Sequence, residues 1–181
     1  MKRLVKYFAL AFPLLRGAVR IRLLRLTSHV EYLLLAVALP VGFAQIIKYI
    51  VGRGRPFVGG EANPFNFVPF TGKEAYFSFP SAHSVTAFAL AFGVAAIWPR
   101  TRVAMAVYAV IIATTRLVLL AHHPSDVVAG ALLGVIGAML VRYWFAARHL
   151  AFTIRSDGAI LPLAGPAPEH IKRVARDAFA P

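Results

Sequence analysis

RVAMAVYAVIIATTRLVLLAHHPSDVVAGALLGVIGAMLVRYWF, residues 102–145, reads as two apolar runs joined by a short polar turn. Each run, about 102–121 and about 125–145, supplies the roughly 20 mostly apolar residues that carry a helix across about 30 Å of hydrocarbon. Helices are required because lipid offers a backbone N–H or C=O no partner outside its own segment. Pro124 suits the first turn of the second run, where its missing N–H is not needed. The joining turn holds His122, His123 and Asp126, and Arg116 lies about one and a half turns inside the first run. A lipid-facing helix has no use for such groups. Ionisable residues at this depth normally face the bundle interior and mark a site.

Two further runs pass the same length test, about 30–51 and about 81–98. The expected architecture is all-α, an integral membrane helical bundle with about four transmembrane helices. The whole chain agrees: of 181 residues, 59% are hydrophobic and only 15% charged, and the mean hydropathy is +0.69. Lys and Arg number 20 against 7 Asp and Glu, a formal net charge of +13. Nucleic acid is excluded as a partner by distribution, because the cations separate apolar blocks instead of lining a polar face. With no cysteine, the chain makes no disulfide and no thiolate metal site.

The sequence divides into three expected parts. Residues 1–26 form a basic segment: LVKYFALAFPLL is interrupted by Lys6 and Pro13, and RGAVRIRLLRL interleaves four arginines with apolar residues. This pattern fits a basic amphipathic helix lying at the headgroup level better than a cleaved signal peptide. Residues 27–150 hold the transmembrane core, and residues 151–181 form a cytoplasmic tail with a helix candidate at EHIKRVARDAF. Fifteen Lys and Arg collect at the N-terminal segment, the 100–102 turn and residues 142–181, against five at the other ends of the spans. Positive residues gather on the cytoplasmic side. The 52–79 loop and the His122–Asp126 turn then face outward, and the chain's size favours a bacterial inner membrane. The loop's seven aromatic residues read as an interfacial belt, with a lining for a lipid tail as the alternative. Gly130, Gly134 and Gly137 fit close helix packing.

Three polar clusters meet on the outward face: Lys48 with Arg55, then PSAH at residues 80–83, then Arg116 with the histidine turn. Arginine's planar fork suits bidentate contact with phosphate oxygens, and lysine adds a point charge. The N–H groups at a helix start also favour an anion. A neutral histidine held by a carboxylate can attack phosphorus, and His83 can protonate a leaving oxygen. Cations and amides can stabilise the transferring group without a metal or other cofactor.

These residues resemble the type 2 phosphatidic acid phosphatase (PAP2) superfamily, whose motifs read K-x6-R-P, P-S-G-H and S-R-x5-H-x3-D. Here they stand as KYIVGRGRP (48–56), PSAH (80–83) and TRLVLLAHHPSD (115–126), with alanine at the glycine position and threonine at the first serine of the third motif. Nine polar or proline positions match with their spacings. With this resemblance, the expected function is a metal-independent membrane phosphatase acting on a lipid phosphate monoester or pyrophosphate, with phosphatidic acid, phosphatidylglycerol phosphate, a polyprenyl pyrophosphate and a lipid A phosphate as the substrate classes. The resemblance implies His122 as the nucleophile that forms a phosphohistidine, Asp126 as its orienting partner and His83 as general acid. Lys48, Arg55, Ser81 and Arg116 would bind phosphate, helped by the backbone at Ala82 and His83. Motif spacing selects His122 over His123. The family core has six transmembrane helices against four read here, and a homo-oligomer is one way to complete the bundle. Two other readings use the same residues: a catalytically silent protein that binds or moves anionic lipids, and a vanadate-dependent haloperoxidase.

Overall fold

The computed structural model describes residues 17–61 and 63–163. The first part of the expected basic segment (1–16) and the tail's helix candidate (169–179) lie outside the described residues. Four helices account for most of what is described: α1 (Gly17–Val51), α2 (Ala82–Ile97), α3 (Arg102–Val118) and α4 (Pro124–Ala146). Short 3-10 turns at Glu74–Tyr76 and Pro99–Thr101 precede α2 and α3. An antiparallel hairpin, β1 (Phe152–Ile154) with β2 (Ile160–Pro162), follows α4. The protein is an all-α membrane bundle, with one small hairpin among the described residues.

Helix α1 runs unbroken for 35 residues, about 52 Å at 1.5 Å per residue. Residues 17–26 are therefore continuous with the first span and form no separate helix. By length and composition three helices among the described residues can cross a membrane: Arg25–Val51, Pro99–Val118 and Pro124–Ala146. The expected span at 81–98 is realised as α2, a shorter apolar helix of 16 residues. Its composition explains why it can be short. Ser84, Val85, Ala87, Ala89, Ala91 and Gly93 are buried, so α2 is sheathed by protein along much of its length and needs less lipid contact.

Contact clustering divides the chain into two units, Leu33–Tyr143 and the remainder up to Tyr32 and from Trp144 on. Within the larger unit, Ala87 and Ala91 of α2 meet Ala109 of α3, with Phe88, Met105, Tyr108 and Ile112 around them. Small side chains let these backbones approach closely, which matters where water supplies no drive for helix association. Helix α4 uses the same device more sharply. A Cβ on Gly130 would lie 2.6 Å from Ser81 O, one on Gly134 2.4 Å from Val85 O, and one on Gly137 2.6 Å from Pro40 Cβ. The three glycines thus admit α2 and the proline of α1 at backbone distance. The opposite faces are apolar and bare: Val103, Val107, Val110 and Ile111 on α3, and Val128, Leu132, Ile136 and Leu140 on α4. Spaced by three and four residues, they form one stripe per helix for acyl chains.

The smaller unit is an aromatic cluster. Tyr32 meets Phe145 and Phe152 edge-on, at centroid distances of 5.5 and 4.7 Å. Phe152 is fully buried, so the start of the tail is anchored. Apolar residues at 152, 154, 160 and 161 flank the Ser156–Gly158 turn, where Asp157 accepts a hydrogen bond from Ala159 N and Gly158 takes φ +82°.

Gly134→Val places its side chain against the α2 backbone, where overpacking costs about 1–3 kcal/mol. We expect a lowered unfolding temperature in detergent, read by intrinsic fluorescence, whereas Leu132→Val, on the lipid-facing stripe of the same helix, changes it little.

Candidate active site

The site is organised by the loop after α1. Gly52 ends the helix in the left-handed region, φ +57°, and its N–H returns to Lys48 O at 2.9 Å. No other residue fits, because a Cβ there would lie 2.0 Å from Val68 O. The chain then runs extended through Arg53–Gly54–Arg55 between two flanking segments. Gly54 N donates to Asn66 O and Val68 N to Gly52 O on one side; Arg55 N donates to Ala75 O, and Ser78 N to Arg53 O, on the other. Two residues apart on an extended segment, Arg53 and Arg55 share a face. The structure gives them different tasks.

Arg53 goes to Asp126. That aspartate is fully buried in the first turn of α4, and its carboxylate is surrounded by donors. Arg53 Nη1 reaches Oδ1 at 2.6 Å; Ser78 Oγ and the His123 backbone N–H reach Oδ2 at 2.6 and 2.9 Å. His122 Nδ1 stands 3.6 Å from the same Oδ2 and 3.4 Å from Ser78 Oγ. Arg53 is itself held, donating to Pro64 O at 3.0 Å and Ser125 Oγ at 2.7 Å. Asp126 O also accepts Ser81 N at 2.9 Å, which ties the start of α2 to the start of α4.

Arg55 goes to a cavity of about 240 Å³, lined also by Gln45, Lys48, Glu74, Phe77, Ala82, His83, Arg116 and His122. This volume suits a phosphate with part of its attached group, below the roughly 300–1,000 Å³ of sites that enclose a whole small ligand. Lys48 and Arg116 come from the ends of α1 and α3, and His83 from the first turn of α2. Lys48 Nζ donates to Phe77 O at 2.5 Å. Arg116 Nε donates to Thr115 Oγ1 at 3.1 Å, a contact the threonine hydroxyl preserves. Arg55 Nη2 faces Glu74 at 3.6 Å, and Glu74 is 89% exposed. Three cations and one carboxylate leave two positive charges, the complement of a phosphate monoester dianion.

Six of the eight residues singled out from sequence line this cavity: Lys48, Arg55, Ala82, His83, Arg116 and His122. Asp126 stands behind His122. Ser81 does not line it. Its side chain is buried and caps α2, accepting Ser84 N at 3.4 Å. His123 is buried with its ring outside the cavity, and its Nε2 has no partner among the described residues. Sequence reasoning missed Arg53, Ser78, Gln45 and Glu74. Gln45 was within reach, since it lies three residues before Lys48 and so on the same helical face.

The profile of the PAP2 superfamily matches residues 30–150. The chain belongs to the PAP2 superfamily. Its PAP2 region is similar to the lipid A 1-phosphatases of Rhizobium johnstonii, 38% identical over 127 residues, and Rhizobium etli, 37% identical over 127 residues. These alignments cover 70% of this chain and 52% and 55% of those proteins. It is also similar to the lipid A 4'-phosphatase of Bacteroides thetaiotaomicron, 30% identical over 135 residues, with 67% of this chain and 57% of the relative covered. The PAP2 chain thus spans about half the length of the relatives it matches. No solved structure matches it.

If the cavity takes phosphate, inorganic phosphate raises the unfolding temperature of the detergent-solubilised protein relative to chloride at equal ionic strength. A ligand at a hundred times its Kd contributes about 2.7 kcal/mol. The expected outcome is a shift of several degrees in the wild type and its loss in Arg116→Gln.

Proposed function

We propose that this PAP2 protein is a metal-independent phosphatase that hydrolyses a lipid phosphate monoester or pyrophosphate through a phosphohistidine. A lipid A-type phosphate is the leading substrate class, supported by the names of its relatives. The observation that carries the reading is the placement of His122 in one cavity with Lys48, Arg55, Arg116 and the opening turn of α2. Donors gathered where charge develops are the main source of acceleration in phosphoryl transfer.

The ring of His122 turns Nδ1 toward Asp126 and Ser78, which leaves Nε2 for the phosphorus. Nε2 attacks, the bond from phosphorus to the ester oxygen breaks, and His83 gives its proton to that oxygen. Water then attacks the phosphohistidine, losing a proton to His83, and the N–P bond breaks to release inorganic phosphate and restore His122. Arg55, Arg116 and Lys48 hold the non-bridging oxygens throughout. The α2 N–H groups at Ala82 and His83 add donors, and Ser81 acts by fixing that turn.

The bare stripes on α3 and α4 support a lipid setting, with membrane lipids or a second copy in a homo-oligomer as their partners. The excess of cations at the opposite helix ends supports a catalytic face directed out of the cytoplasm, in a bacterial inner membrane.

The test is phosphate release from a panel of lipid A 1-phosphate, phosphatidic acid and a polyprenyl pyrophosphate, in detergent with EDTA. His122→Ala falls to background, His83→Ala loses about 10²- to 10⁴-fold, and His123→Ala keeps most activity because its contact to Asp126 is a backbone N–H. Equal release from His122→Ala overturns the phosphohistidine, and loss of wild-type activity in EDTA overturns metal independence.

A further inference from the structure

Arg53 lies outside the phosphate cavity yet is almost completely buried, with 7% of its surface exposed. A buried guanidinium is held this way only where its charge is matched, and its match is Asp126 Oδ1 at 2.6 Å. The order across the site is therefore cavity, His122, Asp126, Arg53. Ser78 occupies the middle of this row, donating to Asp126 Oδ2 at 2.6 Å while 3.4 Å from His122 Nδ1.

We propose that Arg53, with Ser78, is a positioning residue for the nucleophile: it acts through Asp126 to hold the His122 ring with Nε2 aimed at phosphorus. The inference rests on the phosphatase reading of this site. Two physical effects combine. By taking Oδ1, Arg53 fixes the carboxylate plane so that Oδ2 alone faces the imidazole. It also cancels the carboxylate's charge. A bare buried carboxylate behind His122 would oppose entry of a phosphate dianion. Paired with Arg53, its Oδ2 still stands 3.6 Å from Nδ1 while its field on the cavity is reduced. Backbone bonds at Ser78 N–Arg53 O and the Arg53–Phe67 pairing hold both residues at this spot.

The charged groups that line the cavity with His122 are Lys48 of α1, Arg55 and Glu74 of the loop, His83 of α2 and Arg116 of α3, and Asp126 of α4 stands behind it. Removing Arg53 frees the full charge of Asp126 and leaves its Oδ1 without the partner that sets the carboxylate plane.

The experiment compares wild type, Arg53→Gln, Arg53→Lys, Ser78→Ala, Asp126→Asn and the Arg53→Gln/Asp126→Asn double variant in detergent. Two readouts are taken: kcat and KM for phosphate release, and the ring signals of His122 by NMR with labelled histidine, assigned by their loss in His122→Ala. Arg53→Gln is expected to lower kcat about tenfold with KM little changed, and to move the His122 ring signals. Arg53→Lys recovers part of kcat. In the Asp126→Asn background, Arg53→Gln adds little further loss, because the partner through which it acts is gone. The double variant leaves no unpaired buried charge, so it reports even if Arg53→Gln alone fails to fold. Unmoved His122 ring signals in both Arg53→Gln and Ser78→Ala overturn the proposal. So does an Arg53→Gln loss equally large with Asp126→Asn. A wild type that releases no phosphate from any lipid sinks the phosphatase reading instead, and the NMR signals still decide the role of Arg53.

Discussion

A carboxylate buried at the end of an apolar helix must be surrounded by donors or give up its charge. Asp126 is surrounded, and the donors to its carboxylate come from three places along the chain. Arg53 brings the segment after α1, Ser78 the end of the long loop, and His123 N the link after α3; its own carbonyl holds the first N–H of the α2 turn. One residue thereby ties together the segment after α1, the loop that runs into α2, and the link that runs into α4. The cavity in front of it is the space these segments leave.

The arrangement also separates two kinds of cation. Lys48, Arg55 and Arg116 face the cavity with one exposed carboxylate among them, so their charge is available to an incoming anion. Arg53 is already matched within the protein. Burying a cation without a partner is costly, and lining a binding site with matched cations would waste their field. The structure keeps the two classes apart although the two arginines are separated by a single glycine.

That separation marks how far the sequence could be read. The four helices, the end of the bundle that carries the site, and the six lining residues were legible, because hydropathy sets the apolar runs and helix ends set what can meet; the run at 81–98 was read as a full span and is a shorter helix. Arg53 and Arg55 were distinguishable by motif spacing alone; on an extended segment they share a face, and only the packing of Ser78 and Asp126 shows which one turns inward. Ser78 was illegible for a similar reason, a serine in a loop with no period to place it. Ser81 was expected at phosphate and is found capping α2, since a residue just before a helix serves its N–H groups first. The hairpin at 152–162 escaped notice because three-residue strands give too short an alternation to stand out from a polar tail. The unbroken α1 escaped because basic residues near a span end look alike on an interfacial helix and on one that continues.

Helix α2 is 16 residues long, about 24 Å, among neighbours long enough for about 30 Å of hydrocarbon. Roughly 6 Å of membrane thickness is left for loops and headgroups to fill at its ends. Its first turn lines the cavity through Ala82 and His83, so the length of this helix sets where those N–H groups stand. On the proposed phosphatase reading, a bilayer of different thickness would change the work of bringing a phosphate to that turn.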